Sequence, residues 1–177
     1  MSGKIVTVAI VLGTLIFGAA LYYTQVYGYY HEVAPRPGQD VHLVSRATGR
    51  AEPIPYDDFR AIDADSSPLR YRACFSTTAD PDALSESHVA APGRMPRAGP
   101  GWFDCFDAER IGEGIETGAM RVFLGQKNIA YGVDRIVAIS GEGRGYVWHD
   151  LNRCGEKAWD GTPVDDDCPP RPDGAGR

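Results

Sequence analysis

"GVDRIVAISGEGRGYVWHDL", residues 132 to 151, decides the fold of this chain. Two runs rich in β-branched and aromatic residues flank Gly141-Glu142-Gly143-Arg144-Gly145, the sequence form of an antiparallel hairpin around a glycine-permissive turn. Working outward, "AMRVFLG" (119–125) reads as a further strand. In "PLRYRACFST" (68–77), Leu69, Tyr71, Ala73 and Phe75 alternate with Arg70, Arg72 and Cys74, as in a half-buried strand. "VHLVSRATGRAEPIP" (41–55) suggests two short strands around Thr48-Gly49, "YDDFRAIDA" (56–64) a short helix with Phe59 and Ile62 inward, and "DPDALSES" (80–87) a helical turn. Asp107 is the expected N-cap of a helix carrying Ile111 and Ile115, weakened by Gly112 and Gly114. "APGRMPRAGPG" (91–101), with three prolines and three glycines, is expected to be an exposed loop. The sum is an α+β domain, a small antiparallel sheet with helices on one face.

The other end of the chain is of a different kind. Ile5 to Tyr23 is 19 residues without a charge, roughly 28 Å of helix and long enough for a bilayer core. It is expected to be a single transmembrane helix; the rival is a cleaved signal peptide, since Gly18-Ala19-Ala20 places small residues behind an apolar run. Lys4 is the only one of 18 basic side chains before Arg36, and all 24 acidic ones stand at Glu32 or later. Positive-inside logic therefore puts residues 1–4 in the cytoplasm and the remainder outside, which for a bacterial inner membrane means the periplasm. Cys74, Cys105, Cys154 and Cys168 fit that placement, an even number in the exported part. Three pairings are open, and Cys74–Cys105 with Cys154–Cys168 is favoured because the local bridge would staple the tail. The expected organisation is 1–4 cytoplasmic, 5–23 transmembrane, 24–34 an amphipathic juxtamembrane helix, 35–160 the exported domain, and 161–177 an acidic, proline-rich tail. The acidic balance argues against nucleic acid as a partner.

Five of the nine tyrosines fall in "LYYTQVYGYYHEV" (21–33). On a helical wheel Tyr22, Tyr23, Val26, Tyr27, Tyr29, Tyr30 and Val33 lie within about 160°, with Thr24, Gln25, Gly28, His31 and Glu32 opposite. The base of this stripe reads as an interfacial tyrosine belt, and its top as a packing surface for either the domain or a neighbouring membrane protein. Ala34-Pro35 ends it. Small-residue pairs at Ala9/Gly13 and Thr14/Gly18 would let another helix approach.

No catalytic, cofactor or metal constellation emerges. Gly141, Gly143 and Gly145 precede a strand rather than a helix, so they do not form a phosphate-cradling loop. The histidines lack metal-ligand spacing to one another, and no C-x-x-C pair exists. His149 and His88 are the weak candidates for a site, but His149 and Asp150, adjacent on a strand, point to opposite faces and cannot form a dyad. "YYTQVYGYYHEV" and "GVDRIVAISGEGRGYVWHDLNRCGEKAWDG" together resemble an uncharacterised family of small single-span alphaproteobacterial proteins, some labelled histidine kinase. The resemblance implies a bacterial, exported setting; it brings no catalytic motif, and no ATP lid supports the kinase label. The expected function is a membrane-anchored periplasmic interaction domain, a non-catalytic accessory subunit or assembly factor whose partners are the bilayer and a membrane protein. The alternatives are a ligand-binding or sensing module, and a hydrolase.

Overall fold

The computed structural model describes residues 3–162 and Cys168. Helix α1 (Gly3–Tyr23) is followed without interruption by one π-helical turn, Thr24–Gly28. The combined helix is long and apolar enough to cross a membrane, and its apolar side chains stand exposed. The helix does not reach residue 34 as the tyrosine wheel suggests. His31–Val33 form strand β1, paired antiparallel with β4 (Asp57–Asp63). A π turn closes i→i+5 hydrogen bonds, so it rotates less per residue than an α turn and breaks the 100° phase of the stripe beyond Tyr23. Val33 then packs against the domain's core, so the sheet begins upstream of Pro35.

Six antiparallel strands form the main sheet in the order β1-β4-β5-β8-β7-β6, with β5 at Arg72–Ser76, β6 at Met120–Ala130, β7 at Val133–Ser140 and β8 at Arg144–Leu151. The hairpin at 132–151 is its centre: β7 and β8 pair from Val133↔Leu151 to Ile139↔Gly145. Strand periodicity splits its side chains between two cores. Val137, Ile139 and Val147 join Tyr71, Ala73 and Phe75 on one face, whereas Ile136, Ala138, Tyr146 and Trp148 join Cys74 on the other. The first face is covered by the small β2–β3 sheet (His42–Val44, Ala51–Pro53) and by Leu84 of α2 (Pro81–Ser87). The second is covered by Ile111 of α3 (Ala108–Glu116), N-capped by Asp107, and by Phe103 and Phe106 of the preceding segment. The architecture is α+β, with one helix serving each core.

Two local expectations are corrected. "YDDFRAIDA" is strand β4, not a helix: Phe59 and Ala61 enter the first core and Ile62 the second, and pairing with β1 and β5 outweighs the helical spacing of Phe59 and Ile62. A bulge at Asp58, in the left-handed region at φ 52°, lets the strand begin. The proline- and glycine-rich run at 91–101 is irregular, as expected, but it is not a free loop. It lies along the second face, and Arg72, expected to point to solvent, is 3% exposed beneath it.

Disulfides join Cys74 to Cys105 and Cys154 to Cys168. The first ties the segment before α3 to strand β5. Of the acidic tail, 163–167 and 169–177 lie outside the described residues. We expect the unreduced, denatured protein to show no thiol reactive to a maleimide, whereas four reactive thiols would contradict both bridges. By loop-closure entropy the Cys154–Cys168 bridge contributes about 3 kcal/mol of constraint on the unfolded chain, which a melting experiment after reduction would read.

Candidate functional site

The end of a helix leaves its last carbonyls without intrahelical partners, and near a bilayer each needs another donor. Here one of them is met from the domain: the indole Nε1–H of Trp102 donates to the Val26 carbonyl at 2.7 Å. Tyr27 stacks on Trp102 with centroids 6.3 Å apart, and Tyr30 meets the same ring edge-on at 6.0 Å. Arg70 lies 5.6 Å over the Tyr30 ring and donates from Nη2 to Gln25 Oε1 at 3.2 Å. Tyr27 and Tyr30 thus pack on this chain's own domain. Their shares are unequal. Tyr30 is half-buried against the second core, while Tyr29, expected to act with it, is 46% exposed, and Tyr22 and Tyr23 are more exposed still. Gln25, on the side of the wheel opposite the stripe, is a contact residue.

Between the C-terminal end of the helix and the foot of the domain opens a cleft of about 610 Å³. Its wall includes Tyr22, Gln25, Tyr30, Arg70, Arg72 and Arg97. Arg72 holds the 91–101 segment in place: Nε donates to the Arg97 carbonyl at 2.9 Å, Nη2 to Ala98 at 3.1 Å, and Nη1 to Leu69 at 2.8 Å and Tyr71 at 2.7 Å. Its guanidinium also lies 5.5 Å over the Phe106 ring. All four acceptors are neutral carbonyls. Burial brings its pKa down to about 10, so it stays charged at neutral pH. Farther along the segment, Arg94 donates to the Leu151 carbonyl and pairs with Asp150 at 3.3 Å, and Arg97 reaches Asp150 at 3.5 Å. Sequence reading missed Trp102, Arg70, Arg72 and Arg97 as a group, since they come from a turn, a strand and an irregular segment with no shared spacing.

His149 and Asp150 do point to opposite faces. His149, 4% exposed, stacks on Tyr71 with centroids 4.5 Å apart. Its Nδ1 lies 2.7 Å from the Pro68 carbonyl and therefore carries the proton, and Nε2 accepts from Arg135 Nε at 3.1 Å. Both ring nitrogens are engaged, with no acid or nucleophile among their partners. Burial, and then the Arg135 charge, lower its pKa to about 3. His88 contacts the Ser87 hydroxyl and the Leu84 carbonyl, again with no carboxylate. Among the described residues no group of three or more His, Cys, Asp or Glu is placed to hold a metal ion.

Residues 41–169 match the model of a family of unknown function, DUF6446, and the chain belongs to that family. The match spans the whole arginine-bearing foot of the domain and Trp102, and begins after α1 and β1. No curated protein and no solved structure matches the chain.

Two outcomes are expected from this geometry. Tyr30→Ala and Trp102→Ala should each destabilise the detergent-solubilised protein by about 1–3 kcal/mol through lost ring contacts and, for Trp102, the lost indole hydrogen bond, while Tyr29→Ala and Tyr22→Ala change the unfolding midpoint little; equal effects would contradict the joint. The second concerns acid. His149 has a folded pKa below its unfolded value near 6.5, so between pH 6.5 and about 3 the unfolded chain binds a proton that the folded one refuses. Its contribution is absent above pH 6.5 and costs up to about 1.4 kcal/mol per pH unit below it. Urea unfolding across pH 4–7 should show a shallower acid slope for His149→Gln than for the parent.

Proposed function

We propose that this chain is a single-helix membrane anchor bearing an exported, disulfide-stapled domain that acts by binding, as an accessory or assembly subunit of a membrane protein complex. An N-terminal apolar helix and two disulfides are marks of a membrane-anchored or exported protein. The observation that carries the reading is the Trp102–Val26 joint with its tyrosines. It fixes the domain against the outer end of its own span, so any face of the domain is presented to neighbours at one height and orientation. Tyr29, left exposed beside the joint, is one tyrosine available to a partner. The hydrolase reading loses His149, because both nitrogens of that ring are occupied within the domain.

A second reading, a ligand-binding module, is favoured by the cleft at the joint, which is of ligand-binding size. The two are compatible, since a bound small molecule would lie beside the same surface.

Photocrosslinking from a benzophenone amino acid at position 29 in native membranes, combined with native electrophoresis after mild extraction, tests the first reading. We expect an adduct with one membrane protein and co-migration of the two. Migration as a free monomer in several detergents, with no adduct, would contradict it.

A further inference from the structure

The cleft at the joint has a charge at odds with the chain around it. In a protein of net charge −6, its wall carries Arg70, Arg72 and Arg97 and, among the described residues, neither Asp nor Glu. Arg72 is the unusual member. It is almost wholly buried and bonded only to neutral carbonyls; Asp150 and Asp63 act on its charge without a hydrogen bond to it, and neither lines the cleft. Arg70, from the turn at Pro68–Arg70, is held over Tyr30 by Gln25. Arg97 approaches from the irregular segment with its side chain 51% exposed, and its pairing with Asp150 at 3.5 Å is weak enough for an incoming anion to share it. Guanidinium groups arriving from separate elements suit the several oxygens of a phosphate ester, which accept planar, paired N–H donors.

The height of the cleft narrows the source. Tyr22 and Gln25 belong to the outer end of the helix, where the apolar run stops and headgroup phosphates lie. We propose that this cleft binds a phosphate ester, supplied by the headgroup of an anionic phospholipid in the leaflet that the end of α1 reaches. The choice of a lipid source rests on the anchored reading above; the phosphate chemistry does not. Neither depends on which side of the membrane the domain occupies.

The test uses the full chain in a neutral detergent. Native mass spectrometry would follow retention of dioleoyl phosphatidylglycerol against dioleoyl phosphatidylcholine, with inorganic phosphate as competitor. We expect phosphatidylglycerol to be preferred, and Arg70→Gln with Arg97→Gln to weaken its retention about tenfold or more, the scale of a lost charged hydrogen bond. Arg121→Gln with Arg144→Gln, which do not line the cleft, should leave it unchanged. Displacement of the lipid by inorganic phosphate supports the phosphate site and assigns it a soluble source as well. Equal retention of both lipids, or a double variant that retains phosphatidylglycerol like the parent, would overturn the proposal. If the double variant does not fold, the exposed Arg97→Gln alone decides by the same criterion. A chain that retains phosphatidylglycerol yet shows no protein adduct from position 29 would fail the interaction reading and leave this one standing, and the reverse result would do the opposite.

Discussion

The hydrogen bond from the Trp102 indole to the Val26 carbonyl is the constraint on which the rest of the arrangement depends. The end of a helix presents carbonyls that no longer find partners along its own axis, and this chain meets one of them with a side chain 76 residues further on. To do so it must hold Trp102 still. The Cys74–Cys105 bridge fixes the segment on one side of Trp102 to the sheet, and Arg72, Arg94 and Arg97 fix the other side through backbone carbonyls and Asp150. A proline- and glycine-rich run that cannot form a helix or strand is thereby made rigid by what grips it.

The grip has an electrostatic consequence. A buried guanidinium bonded to carbonyls is satisfied as a donor but not neutralised as a charge. Arg72 is such a group, its charge offset only through space by Asp150 and Asp63, and the clamp that seats Trp102 also places a guanidinium in the wall of the adjoining cleft. Structure and proposed binding are thus two results of one side chain. The acidic remainder of the domain, including the exposed Glu109, Glu113 and Glu116 on α3, sets off that cleft from the surrounding surface.

How far the sequence alone foretold this arrangement depends on how local the cause was. The hairpin of β7 and β8 was readable because its apolar runs and glycine turn are contiguous, and the capping of α3 by Asp107 because a cap needs only three successive residues. β4 was misread because Phe59 and Ile62 satisfy a helical spacing as well as the two faces of a strand, and only the neighbouring strands decide between them. The tyrosine stripe was readable as a feature but not in its detail, since a single π turn shifts its phase. Arg72 and Trp102 carried no signal at all. An arginine at a strand position reads as solvent-facing until a distant segment covers it, and a tryptophan in an irregular run gives no hint of which carbonyl it will meet.

The central claim is that the domain is fixed to the end of its own N-terminal apolar helix through Trp102. Hydrogen exchange of the three tryptophan indole protons by NMR, in the full chain in detergent micelles with the Trp102 signal assigned by its loss in Trp102→Phe, tests this most directly. A docked Trp102 should exchange its indole proton far more slowly than Trp159, which is 99% exposed. If the two protons exchange equally fast, the helix and the domain are not joined and the account fails at its root.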